Sequence, residues 1–330
     1  MRNSYVILRA ALRFLKKERF DIVQIMDTEY SISSLLLGSS QNLPPVSHMV
    51  NAANFAFSKY PGSVFWKFYK IIQKIIFKRS LGRQIKGFTV LGAYHKEELK
   101  KQFGLKESFP IGIIRDGANP PAFFLNHGDA REKIGIDYRG TIFLLFGMLR
   151  KDKGLECFLK AASLLKDQDF KILIAGSLFD YTKGRIVELI SDYGIADKAE
   201  LRLEYIKNEE IPFYFYASDA LVLPYRKIYT GGSGPLLKEA AIYKTPVIAS
   251  DVSEMGRLVK QYNMGLVAEP ENAESLAQKM KDFLHMSVEQ RQTLRENSFK
   301  AVRAWSRLAK DYEEFYKEIC YSKLRLDIPN

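Results

Sequence analysis

Ile142–Leu165 reads IFLLFGMLRKDKGLECFLKAASLL. Five consecutive apolar residues, Ile142–Phe146, run into Gly147, then a loop carrying Arg150, Lys151 and Lys153, then Gly154 and a helical period from Leu155 to Leu165. A short run that is apolar throughout, instead of alternating, is what a strand buried on both faces requires, and such strands are parallel strands covered by helices. The pattern recurs at Lys171–Ala175 (KILIA), Ala220–Leu223 (ALVL), Pro246–Ala249 (PVIA) and Gly265–Ala268 (GLVA). Upstream, Asp21–Met26 (DIVQIM), Phe88–Leu91 (FTVL) and Gly112–Arg115 (GIIR) read the same way. Plausible helices separate these runs, so the order is β–α–β throughout, the signature of a doubly wound α/β architecture.

The chain has 330 residues, enough for about two domains. Its 47% hydrophobic and 13% aromatic content excludes wholesale disorder and collagen-like repetition. Asn119–Asp129, with Pro120, Pro121 and Gly128, is the best linker between the two parts. Cys157 and Cys320 form no CxxC pair, which points to reduced thiols in a cytosolic protein. Arg2, Arg9 and Arg13 interrupt the first residues, which argues against a signal peptide, and no run approaches the ~20 apolar residues that span a bilayer.

Charge is unevenly placed. Residues 1–140 carry 22 Lys+Arg against 11 Asp+Glu, whereas residues 141–330 carry 28 against 27. No acidic residue occurs between Glu29 and Glu97, an interval holding nine bases. Such a block implies an anionic partner: a lipid surface, a phosphorylated substrate or nucleic acid. Within it, Val64–Arg79 reads VFWKFYKIIQKIIFKR. At about 100° per residue, Lys67, Lys70, Lys74 and Lys78 fall within an arc of roughly 80°, with Phe, Trp, Tyr and Ile around the rest. This is either a basic amphipathic helix suited to a lipid interface or a domain helix with solvated lysines. Nucleic acid falls behind, because no recognised binding module accompanies the bases.

Three places at the carboxyl ends of the second-half strands carry chemistry. In Gly147–Gly154 the glycines permit a tight backbone path, and Arg150 and Lys153 can reach an anion in the crevice. In Tyr229–Pro235 (YTGGSGP), Gly231, Gly232, Ser233 and Gly234 offer backbone N–H groups at the start of a helix. Pro235 suits its first position, and Leu236 follows. Glu239, one turn into that helix, can accept from paired sugar hydroxyls.

These motifs, with KILIAGS, ALVLPY, GGSGPLLKEAAIYKTPVIASDVSEM, GLVAEPENAESLAQKM and AWSRLAKDYEEFY, resemble the GT-B glycosyltransferases of family 4, the retaining, nucleotide-sugar-dependent class. The resemblance covers the whole second half in family order. It is thinner in the first, where DIVQIMDTEY, PPVSHMVNAANF and FTVLGAYHKEELKKQFGL carry it. It implies two Rossmann-like domains facing a cleft, residues 1–122 on the acceptor side and 123–310 binding the nucleotide-sugar, with a helix in 311–330 packing back on the first.

By the same resemblance, Lys153 neutralises the donor diphosphate with Arg150 beside it, as catalytic groups. Gly147, Gly232, Ser233, Gly234, Pro235 and Leu236 hold phosphate and sugar, Glu239 binds the ribose, and Tyr205 and Ile206 pack the base. The implied activity is transfer of a hexose from a UDP- or GDP-sugar, with retention, to a lipid-linked or glycan acceptor at the inner face of the membrane. No metal or other cofactor is expected.

Three departures stand out. Gly231 occupies the place of the first of the family's paired glutamates. Asn51 stands where the family tends to have a histidine, with His48 three residues earlier. Only about twenty residues precede DIVQIMD, so the first domain reads as N-terminally short and incomplete. That leaves as alternatives a non-catalytic nucleotide-sugar-binding subunit, or a split half needing a partner chain, and a sugar-nucleotide epimerase of GT-B shape.

Overall fold

The computed structural model describes residues 10–11, 13–15, 17–26, 44–50, 64–83, 85–229, 231 and 235–321; of the side chains in the first long helix and at position 235, only some are described. The chain divides into two compact units. One comprises Met1–Gly117 and Trp305–Asn330 with Thr230–Gly232; the other comprises Ala118–Tyr229 and Ser233–Ala304.

Among the described residues, the first unit is built on four parallel strands in sequential order: β1 (Val23–Met26), β2 (Val46–Val50), β3 (Ile85–Val90) and β4 (Ile111–Ile113). Helices α1 (Val64–Ser80) and α2 (Ala93–Phe103) make the crossovers from β2 to β3 and from β3 to β4. Phe77 of α1 and Leu99 and Phe103 of α2 close one face of the sheet over Val46, Phe88 and Val90. The last described helix belongs to this unit. Helix α11 (Trp305–Tyr321) lays Phe315 and Ile319 where Gly87 of β3 and Gly112 of β4 leave room. A Cβ at Gly87 would come within 2.7 Å of Ile319, and one at Gly112 within 2.9 Å of Phe315.

The second unit has, among the described residues, six parallel strands: β5 (Thr141–Phe146), β6 (Phe170–Ala175), β7 (Ala199–Arg202), β8 (Ala220–Leu223), β9 (Val247–Ser250) and β10 (Gly265–Ala268). Their spatial order is β10-β9-β8-β5-β6-β7. The all-apolar runs have the expected cause. Phe143 and Leu145 enter one core with Phe158, Leu189 and Phe283, while Ile142, Leu144 and Phe146 enter the opposite core with Phe215, Leu237 and Met255. The first core lies under α4 (Leu155–Ser163), α5 (Lys183–Asp192) and α9 (Ala273–Leu284). The second lies under α6 (Ile211–Ala217), α7 (Pro235–Ile242) and α8 (Ser253–Tyr262). Helices α3 (His127–Lys133) and α10 (Val288–Lys300) complete the unit.

At the amino ends of β5 and β8, a charge cluster ties the unit together. Asp219 accepts from Arg131 Nη2 at 3.0 Å and from the Ile142 amide at 2.9 Å, with Arg291 and Arg295 within 4 Å. Arg131 is itself buried and donates to the carbonyls of Ala217 and Tyr138, so its guanidinium is satisfied on several sides.

Candidate functional site

The strand order fixes where a ligand can sit. From β5 the chain moves outward through β6 and β7, then returns to β8 on the other side and continues to β9 and β10. Ligands of open α/β sheets bind outside the carboxyl ends of the strands where the order reverses, here between β5 and β8. The two loops at that point are Gly147–Gly154 and the segment following Leu223.

The first loop is held by its own glycines. Gly147 has φ +88° and Gly154 φ +74°, backbone that side-chain-bearing residues rarely adopt. A Cβ at Gly154 would stand 1.9 Å from the carbonyl oxygen of Pro224, so this glycine lets the β5 loop lie directly against the end of β8. A single 3₁₀ turn, Lys151–Lys153, closes it before α4 begins.

That turn folds Lys153 inward. The residue is only 6% exposed, and its Nζ donates to the carbonyl of Phe146 at 2.9 Å. The same nitrogen would stand 2.9 Å from a Cβ on Gly147, and Leu236 of α7 lies just beyond. Among the described residues no second partner of the ammonium occurs, which leaves two N–H donors beside Gly147. Burial, and after it the charge of Arg150, pull its pKa down to about 8; Asp152 opposes them.

Arg150 stands nearer the surface. Its Nε and Nη2 each donate to Asp152 at 2.9 Å, and that hydrogen bonding holds its pKa above the ordinary value. Tyr225 and Tyr229, whose ring centroids are 4.4 Å apart, lie close enough to interact electrostatically with it. The Asp152 carbonyl accepts from the Arg226 amide at 2.9 Å, and Arg226 pairs with Glu271, so the β5, β8 and β10 loops are joined in series.

Gly147, Lys153 and Leu236 thus come together, with Arg150 on the same loop. Glu239 lies on α7, half-buried, with its carboxyl pushed up by burial. The Tyr243 hydroxyl one turn further along lies near enough to act on it, and Tyr243 is pushed up to about 12 chiefly by its own burial. Ile206 is buried in the core containing Phe146 and Leu237, whereas Tyr205 is 71% exposed. Both follow β7, two strands from β5, which at sheet spacing is roughly 10 Å away.

Gly232, Ser233, Gly234 and Asn51 lie outside the described residues; Pro235 opens α7, but its ring is not described. His48 is wholly buried in β2, edge-on to Phe77, with neither ring nitrogen hydrogen-bonded. Burial pulls its pKa down to about 3. Among the described residues no group of three His, Cys, Asp or Glu is placed to hold a metal ion, and no helix is long and apolar enough to cross a membrane. Asp152, Tyr225 and the Glu239–Tyr243 proximity were not read from sequence. The carboxylate inside a basic loop was the available signal for the first.

Residues 127–301, just over half of the chain, match the model for glycosyl transferases group 1. The chain belongs to this family. An uncharacterized glycosyltransferase of Methanocaldococcus jannaschii is 27% identical over 190 residues, 55% of this chain and 46% of that protein. The UDP-Gal:alpha-D-GlcNAc-diphosphoundecaprenol alpha-1,3-galactosyltransferase of Escherichia coli is 28% identical over 276 residues, 80% of this chain and 66% of that one. Among solved structures, a glycosyltransferase from Rickettsia africae superposes with a TM-score of 0.72 at 20% identity, covering 97% of this chain and 81% of that one. This group 1 chain therefore has the α/β fold, with parallel sheets, of GT-B glycosyltransferases. It spans between a third and a half of the length of the first curated relatives it matches.

Proposed function

We propose that the chain is a retaining family 4 glycosyltransferase that moves a hexose from a UDP- or GDP-sugar to a lipid-linked or glycan acceptor, as a step in polysaccharide assembly. The observation that carries this reading is the buried Lys153 ammonium at the strand-order reversal, with donors to spare beside Gly147. A buried cation with unfilled donors is costly unless an anion completes it, and a diphosphate supplies both charge and acceptor oxygens.

In this reading Lys153 and Arg150 stabilise the negative charge that grows on the departing diphosphate, the role a metal would otherwise fill. The Gly147 backbone lets the phosphates approach closely, and Gly232, Ser233, Gly234, Pro235 and Leu236 cradle them with the sugar. Glu239 takes the ribose hydroxyls. Tyr205 and Ile206, roughly 10 Å along the sheet edge, take the base. The relative named for UDP-Gal and a diphosphoundecaprenol acceptor supports both the nucleotide and the lipid-linked class.

Helix α1 supports the lipid-linked acceptor. Its buried Phe77 faces the core, but Val64, Phe68, Ile71, Ile72 and Ile75 are all exposed. At about 100° per residue these five fall in an arc of roughly 100°, bordered by the arc that carries Lys74 and Lys78. An exposed apolar stripe beside a basic one is how a helix lies in an anionic lipid interface, here the inner face of the membrane.

The test is transfer from radiolabelled UDP- and GDP-hexoses to extracted membrane lipid. The parent chain should label lipid, and Lys153→Ala should lose on the order of 100-fold or more in rate. Nucleotide binding without transfer by the parent chain would favour a binding subunit.

A further inference from the structure

We propose that Asp152 is the positioning residue for Arg150, holding one edge of the guanidinium so that its other edge stays free for the donor diphosphate. This rests on the donor-site reading above and adds to it the group that prepares the arginine. The geometry is specific. Asp152 takes the side edge of the guanidinium, Nε with Oδ1 and Nη2 with Oδ2, both at 2.9 Å. Neither Nη1 donor has a protein partner among the described residues. A guanidinium has five N–H groups in a rigid fork, and using one edge for a carboxylate leaves the end edge able to bind a phosphate bidentately.

Asp152 is in turn anchored through its main chain, where its carbonyl accepts from the Arg226 amide at 2.9 Å. The Arg226 side chain is fixed at 2.8 Å by Glu271. Arg150 therefore does not pay the full ordering cost of a long side chain when an anion arrives, because Asp152 has already ordered it. The carboxylate has a second effect. Arg150 and Asp152 are the charged groups acting on Lys153, in opposite senses, so Asp152 helps to keep that buried amine protonated.

The experiment is calorimetric titration of UDP and of GDP into the parent chain and its Asp152→Asn, Asp152→Glu, Arg150→Ala and Asp152→Asn/Arg150→Ala variants, from pH 6.5 to 9. Because the tie to Arg226 uses the backbone carbonyl, all variants keep it, and thermal melts confirm folding. Asp152→Asn should weaken binding about tenfold at pH 6.5, the scale of one charge-assisted contact. At that pH the double variant should be no weaker than Arg150→Ala, and Asp152→Glu should recover most of the affinity. The alkaline loss of binding should also move to lower pH in Asp152→Asn. Parent-like affinity and pH dependence in Asp152→Asn, or fully additive losses in the double variant, would overturn the proposal. If the parent chain binds neither nucleotide, the donor-site reading fails, and the positioning role falls with it.

Discussion

At the scale of single residues, Lys153 sets a pH dependence whose sign can be worked out. Its folded pKa of about 8 lies below the ordinary lysine value. The unfolded chain therefore binds more protons between pH 8 and about 10.5, and stability rises with pH across that window as the penalty of burying the charge is relieved. Diphosphate binding should run the other way, falling as pH rises through about 8, because it needs the ammonium. Lys153→Met should then raise the melting temperature of the apo chain at pH 7 by roughly 2–4 °C, the shift expected for about 1 kcal/mol in a unit of this size. Differential scanning calorimetry checks this, and an unchanged or lower melting temperature would show that the buried amine carries no penalty.

Residue-level legibility was uneven. Gly147, Arg150 and Lys153 could be read because glycines and bases cluster in one loop. The Arg150–Asp152 fork could not, because composition shows that a loop is basic without showing which base is already spoken for. Asp219 was unreadable for another reason, since its partner Arg131 is 88 positions away.

At the scale of elements, the apolar runs of the second unit were legible because burial on both faces leaves no room for polar residues, and Ala220–Leu223 and Gly265–Ala268 agree with β8 and β10 to the residue. The edge strand β7, sequence AELR, offers no such run: it carries Glu200 and Arg202, and all four of its residues are only partly buried. The β5–α4 junction depends on Gly154. Gly154→Ala adds a Cβ 1.9 Å from the Pro224 oxygen at a backbone angle of φ +74°, so it should destabilise the second unit by about 2 kcal/mol or more and weaken nucleotide binding. Urea denaturation measures the first effect; a parent-like midpoint would mean that the loop can move away without cost.

For α1, periodicity identified an amphipathic helix but could not say which apolar residues face the core. The structure divides them, with Phe77 inside and five others outside. Replacing exposed Ile71 and Ile75 by Glu should leave the melting temperature unchanged and abolish flotation with vesicles containing phosphatidylglycerol. Retained flotation would remove α1 from the membrane proposal.

For the whole molecule, the charge asymmetry broadly follows the division of the chain into two units. The near-neutral second half supplies the sheet with the strand-order reversal, and the basic first half supplies α1. The first unit also takes in helix α11, far along the chain from its strands, where Phe315 and Ile319 fill the space left by Gly87 and Gly112. Deleting residues 305–330 should therefore expose that face. Hydrogen exchange should show loss of protection in β1–β4, with β5–β10 still protected.

The central claim is that a nucleoside diphosphate is held by Lys153 at the end of β5. Its most direct test is calorimetric titration of UDP and GDP into the parent chain and Lys153→Met at pH 7. The account predicts that the parent binds one of the two, and that Lys153→Met, folded by its melting curve, binds neither. Equal binding by the two proteins would contradict it.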